Sequence, residues 1–158
     1  MKNERIQKAI NSGIGGALAI CLLALITDVS DLLLLMAPFG ASCVLLFSVP
    51  SSPLSQPMNV VGGHMVSACV GVVIASIMTP SPLVLGISVA LAISLMALFD
   101  VTHPPAGADP IVIILGAKGY SFLLFPVFTG SVSLVLIACA YHYCLGTAKY
   151  PLPQKTRF

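Results

Sequence analysis

Between Asp31 and Asp100 the chain carries no Lys, Arg, Asp or Glu. Charged residues make up 8% of its 158 positions, where soluble domains carry about 25%. A chain that is 58% hydrophobic and withholds charge over so long a stretch is built for a lipid bilayer. Basic residues sit almost only at the two ends, without interleaved aromatics, which argues against a nucleic-acid surface. The five cysteines, Cys21, Cys43, Cys69, Cys139 and Cys144, have no CxxC spacing and lie mostly inside apolar runs. They read as small apolar fillers, so neither a disulfide nor a metal site is expected. No nucleophile–base pair, nucleotide loop or metal-spaced cluster occurs, so no enzyme and no cofactor are expected.

What is present is a series of apolar runs. Residues 9–27 are uncharged over 19 positions, close to the roughly 20 that a spanning helix needs. Lys2, Arg5 and Lys8 before this run imitate a signal peptide. The run is too long for a typical signal core, and it reads as the first membrane helix. Residues 32–49 are apolar but broken at Pro38-Phe39-Gly40, either a kinked span or two short pieces dipping in and out. A loop of Ser and Pro follows at 50–57; having no charge, it is expected to line a polar cavity or to pack into protein. Runs 58–78, 83–99 and 122–145 read as the second, third and fourth spans, while 111–117 is too short to span alone. Gly63, Ser67 and Gly71 form a close-packing stripe. The expectation is an all-α membrane protein of about four transmembrane helices plus two re-entrant or broken half-helices. It forms one domain over 1–158 with a mobile tail at 147–158.

The stretch from Asp100 to Pro110 concentrates the chemistry. Two Asp, one His and three Pro stand between apolar runs, and irregular polar backbone at membrane depth survives only where it lines a site or is buried in protein. Asp109 followed by Pro110 reads as a helix start, with Asp109 as cap, and an open helix N-terminus favours anions. His103 and His64 are ionisable groups inside membrane segments and so are candidates for function. Asn59, Ser51, Ser52, Ser55 and Gln56 offer neutral donors, against ordinary turn chemistry for the loop residues. His142, between Tyr141 and Tyr143, reads as an interfacial anchor.

The break recurs. Pro38, Gly40 and Ala41 match Pro105, Gly107 and Ala108 at a constant offset of 67, which also carries Gly63 to Gly130. This suggests an internal duplication with halves at about 9–78 and 79–146, a frequent build of transporters. If both breaks are re-entrant from the outer face, the halves run parallel. Ser42 and Asp109 then start equivalent short helices whose N-termini point at one site. Gly40 and Gly107 read as closest backbone approaches, where a branched side chain would not fit. The basic ends place both termini in the cytoplasm, and a bacterial inner membrane is the expected location. So short a chain encloses little by itself, so a homo-oligomer is expected, with the Gly-rich faces of the first and second spans as contacts.

His103-Pro104-Pro105-Ala106-Gly107-Ala108 resembles the signature of the HPP family of integral membrane proteins. The blocks Pro38-Phe39-Gly40-Ala41-Ser42, Ser51-Ser52-Pro53-Leu54-Ser55-Gln56-Pro57 and Asn59 to His64 resemble it too. The resemblance implies four spans and a link to nitrite transport, with Asp109 standing where relatives carry a small residue or Thr. Nitrite is thus the expected small anion, bound by His103, Pro104, Pro105, Gly107, Ala108, Asp109, Gly40, Ala41, Ser42, Ser51, Ser52, Asn59 and His64. Two alternatives stand beside it: a proton- or cation-coupled carrier using His64, His103, Asp100 and Asp109, or a membrane scaffold without transport.

Overall fold

The computed structural model describes residues 2–153, and among them all regular structure is helical. The helices are α1 (Lys2–Ser30), α2 (Pro38–Ser48), α3 (Pro57–Ile77), α4 (Pro82–Leu98), α5 (Asp109–Leu115) and α6 (Thr129–Leu145). A 3-10 turn, Pro104–Ala108, leads into α5, and a π-helical turn, Leu123–Phe128, leads into α6. Three helical stretches are long and apolar enough to cross a membrane: Lys2–Ser30, Pro57–Ile77 and Leu123–Leu145. Shorter apolar ones are Pro38–Ser48, Pro82–Leu98 and Pro104–Leu115.

Proline sets the starts. Pro38, Pro57, Pro82 and Pro104 each open a helix or turn, at a position where an N–H is not missed. Aspartate marks two ends: α1 gives way to Asp31 at φ 57°, and Asp100 at φ 54° follows α4. Such left-handed residues end helices, and Asp tolerates them better than most side chains.

Contacts give the direction of each pass. The N-terminal end of α1 and the C-terminal end of α6 share one end of the bundle, because the Tyr141 hydroxyl donates to the Asn11 carbonyl at 2.7 Å. This is the basic end. Leaving Ser30 at the opposite, distal end, the chain turns back along α1. The Leu34 amide donates to Thr27 Oγ1 at 3.0 Å, Gly15 lies under the Phe47 ring, and Ser12 Oγ donates to the Phe47 carbonyl at 2.9 Å. Residues 31–48 therefore run from the distal end to the basic end. Of the two readings open for this run, a kinked span or two short pieces dipping in and out, these contacts favour a broken segment that keeps one direction along α1. Between its contacts at Thr27 and Ser12 this segment runs alongside fifteen residues of α1, about 22 Å at 1.5 Å per residue.

The second break behaves likewise. Along α3, Asn59 Nδ2 donates to the Thr102 carbonyl at 3.0 Å, Ser67 Oγ donates to the Ala106 carbonyl at 2.6 Å, and Gly71 faces Pro110. The chain from Val101 to Leu115 thus climbs parallel to α3, from the basic end to a distal hollow lined by Val72, Ser76, Pro80, Ile114 and Lys118. The broken half-helices of the expected fold are present, and each keeps one direction along its neighbouring helix within the bundle.

Packing assigns the glycines differently from the sequence reading. A Cβ at Gly40 or Gly107 would meet nothing within 4 Å. Crowded positions include Gly15, Gly63, Gly71 and Gly130. A Cβ at Gly63 would come within 2.6 Å of His103 Cβ and 2.9 Å of the Val101 carbonyl oxygen. At Gly130 it would press still closer on the Leu34 carbonyl and the buried Phe39 ring. Gly130→Ala is expected to cost roughly 1–3 kcal/mol through overpacking, read as a lower thermal midpoint in detergent. Gly40→Ala and Gly107→Ala are expected to leave that midpoint unchanged or raise it.

The stripe Gly63, Ser67, Gly71 is consumed inside the protomer against residues 101–113, which removes it as an oligomer contact. The uncharged loop at 50–57 does pack into protein. Ser55 is buried, and its Oγ donates to the Val49 carbonyl at 2.9 Å. The start of the tail is not loose: the Tyr150 hydroxyl donates to the Ser55 carbonyl, and the Leu152 amide donates to Gln56 Oε1, both at 2.9 Å. The rest of the expected mobile tail, 154–158 with Lys155 and Arg157, lies outside the described residues.

Candidate functional site

Four side chains from four elements meet in the interior: Ser42 of α2, His64 of α3, His103 before the Pro104–Ala108 turn and Asp109 of α5. Each has 0% exposure. Ser42 Oγ lies 2.9 Å from His64 Nε2 and 2.9 Å from His103 Nε2. His64 Nδ1 lies 2.8 Å from Asp109 Oδ2, and His103 Nδ1 lies 2.8 Å from the Leu54 carbonyl oxygen. The edge of Phe39 covers His64, with ring centroids 5.2 Å apart.

The donors can be assigned from one end. A carbonyl only accepts, so His103 Nδ1 carries a proton and donates to Leu54. A neutral His103 then accepts at Nε2 from the Ser42 hydroxyl. With its proton so used, Ser42 accepts from His64 Nε2–H. A neutral His64 is left with a lone pair at Nδ1, facing Asp109 Oδ2 at 2.8 Å. One proton must lie between them, as a carboxylic acid donating to imidazole or as an imidazolium donating to carboxylate. A concerted shift along the chain puts the charge elsewhere without changing the proton count. Asp109 gives its proton to His64 Nδ1, His64 Nε2–H passes to Ser42, and the Ser42 proton passes to His103 Nε2. The result is a carboxylate at Asp109 and an imidazolium at His103. The arrangement is a continuous chain of four hydrogen-bonded side chains, the geometry that a proton relay requires.

Not every expected site residue joins it. Pro105 is buried, Gly107 is half-buried, and Pro104, Ala108, Gly40 and Ala41 are exposed. Ser51 is exposed, and Ser52 accepts the Leu54 amide as the cap of the Pro53–Ser55 turn. Asn59 ties α3 to Thr102 and does not reach the histidines' hydrogen bonds. Asp100 stands exposed at the end of α4, outside the relay. Asp109 makes no capping bond, because its carboxyl turns to His64. The first N–H groups of the helices are also engaged: Phe39 to the Met36 carbonyl, Gly40 to Ala37, Asp109 to Ala106. The paired helix starts therefore present no open anion cradle in this conformation. His142 is buried and bonds the Leu46 carbonyl through Nε2 at 2.9 Å, tying α6 to α2 instead of anchoring at an interface. Sequence reasoning missed the Leu54 carbonyl, which no side-chain pattern marks, and Phe39, which it read only as part of a break. Among the described residues, two buried side-chain oxygens have no hydrogen-bond partner, Asp109 Oδ1 and Asn59 Oδ1, and both are acceptors.

A family model described as HPP, transmembrane region, matches residues 1–151. The chain is 34% identical over 135 residues to a transmembrane protein of Dictyostelium discoideum, covering 80% of this chain and 43% of that protein. A second transmembrane protein of Dictyostelium discoideum is 35% identical over 126 residues, covering 75% of this chain and 44% of that protein. The chain thus spans less than half the length of these curated relatives. No solved structure matches it.

Proposed function

The chain belongs to the HPP transmembrane family, and from that premise we propose a transporter that moves a small inorganic anion together with a proton. The proton travels on Asp109, His64, Ser42 and His103, and nitrite is the anion that the family resemblance suggests. The observation that carries this reading is the His103 Nδ1 bond to the Leu54 carbonyl, because it fixes the polarity of every later bond in the chain. Ionisable groups buried at membrane depth are costly and are retained for function. Here three of them are linked into a path for charge. The two unpartnered buried acceptors favour a solute that brings a proton over one that brings only negative charge. Nitrite is the base of a weak acid, and paired with a proton it crosses without net charge. This inverts the expected roles: Asp109 is the proton carrier and not a neutral cap. The reading is non-enzymatic, and with the basic end in the cytoplasm both termini lie there.

The test is nitrite uptake into liposomes with an internal pH dye, against protein-free liposomes as the control for free nitrous acid. Uptake is expected to acidify the lumen in step with nitrite. Nitrite flux that follows voltage and moves no protons would make the protein an anion channel. Proton or cation flux without nitrite would support the cation carrier, and no flux at all the scaffold.

The homo-oligomer contact falls to α1. Only Gly15, Ala19 and Leu23 are buried along its 29 residues. Gly13 and Gly16 line an open groove of about 790 Å³ between α1 and α2. A Cβ at Gly13 meets nothing within 4 Å, so Gly13→Leu is expected to fold normally and to shift the detergent-solubilised mass toward the protomer.

A further inference from the structure

An offset of 67 residues carries Pro38–Ser48 onto 105–115, the last eleven residues of Pro104–Leu115. It carries Pro57–Ile77 onto 124–144, inside Leu123–Leu145, and 15–31 onto α4 at Pro82–Leu98. Each half is then a helix, a broken pass and a helix. Three passes are an odd number, so consecutive halves must start from opposite ends. They do: α1 leaves the basic end and α4 leaves the distal end.

Two of the close glycine approaches obey the same offset, which pairs Gly63 with Gly130 and Leu34 with Val101. Gly63 of the first half presses on the Val101 carbonyl of the second, and Gly130 of the second presses on the Leu34 carbonyl of the first. Each half thus clamps the other's non-helical segment with its third helix. Ser42 and Asp109 are equivalent as well, and they bond opposite nitrogens of one imidazole, His64 Nε2 and Nδ1. The relay therefore lies where the two halves meet.

We infer that the two halves are an inverted repeat, and that their non-helical segments, 31–37 and 99–103, are gates facing opposite sides of the membrane. The Val101 clamp is at the basic end, since the neighbouring His103 reaches the Leu54 carbonyl in the basic-end loop. The Leu34 clamp is toward the distal end, tied to Thr27 near the end of α1. Each clamp sets one backbone carbonyl and one side chain, His103 at Gly63 and Phe39 at Gly130, against a Cβ-less residue, so a shift of α3 or α6 releases both contacts together. Both are closed here, sealing the relay. Releasing the Val101 clamp exposes His103 to the basic side, and releasing the Leu34 clamp exposes Ser42 and Asp109 to the distal side. Inverted repeats around one midplane site give this alternation in other transporters. The gating half of the inference rests on the proposed transport; the inversion does not.

The experiment uses the full chain in liposomes, with its five native cysteines replaced and a single cysteine at Leu35 or at Thr102. A membrane-impermeant thiol reagent is added to one side at a time. Leu35→Cys is expected to react only from the side opposite the N-terminus, and Thr102→Cys only from the side of the N-terminus. Under an imposed pH gradient the two rates are expected to change in opposite senses, by roughly tenfold for a modest population shift. Reaction of both from one side would overturn the inversion. Rates that change together, or not at all, would overturn the gating. Opposite sidedness with no nitrite–proton flux would leave the inversion standing and remove the proposed transport.

Discussion

Asp109→Asn is expected to fold and to lose proton-coupled uptake. The asparagine amide can donate to His64 Nδ1 where the acid does now, 2.8 Å away, so the static chain of bonds survives. An amide has no proton to release and recover, and losing one positioned proton-transfer group lowers a rate on the order of 10²-fold or more. Nitrite-driven acidification should therefore fall by at least that factor, while the thermal midpoint stays near that of the parent. His103→Gln should behave alike, because Gln can donate to Leu54 and accept from Ser42 but cannot relay. If Asp109→Asn kept or raised nitrite flux, the carboxylate would be a repelling charge beside an anion path, and the relay would be incidental.

Much of this architecture was legible in local chemistry. Proline before an apolar run marks the starts of α2, α3 and α4, and Asp31 and Asp100 mark the turns. His64 and His103 stood out as ionisable groups in membrane segments, and the family resemblance survives the comparison with known proteins. What did not show was direction. Residues 32–37 belong to an apolar run in sequence, yet they are non-helical in the fold and carry the chain back along α1 before α2 begins. Glycine crowding was also hidden: Gly40 and Gly107 sit in the motif with open space where a Cβ would go, while Gly63 and Gly130 are among the crowded positions. The relay joins residues 22, 45 and 61 apart in sequence. Only the folded chain reveals that the hydroxyl of Ser42, read as the start of a short helix, is the joint between the two histidines.

That joint carries the second large expectation. Ser42→Ala removes the one atom within 2.9 Å of both Nε2 atoms. The histidines cannot close the gap themselves, since their ring centroids are 5.0 Å apart at an interplanar angle of 67° and each ring is held at Nδ1 by another partner. A buried N–H on His64 and a buried lone pair on His103 then lose their partners together. Each such loss costs about 1–3 kcal/mol, so the variant should lose ~2–6 kcal/mol of stability and all coupling. Reduced stability would also lower flux, so the control is Ser42→Thr, which keeps a hydroxyl at the same backbone position. Threonine should restore most of the proton-coupled uptake, although its extra methyl must be fitted into a site with no exposed surface. The readout is the ratio of luminal acidification to nitrite entry, which a merely structural serine would leave unchanged in whatever fraction remains folded. A folded Ser42→Ala protein with the parental ratio would mean that protons cross without this hydroxyl, and the path from Asp109 to Leu54 would have to be abandoned.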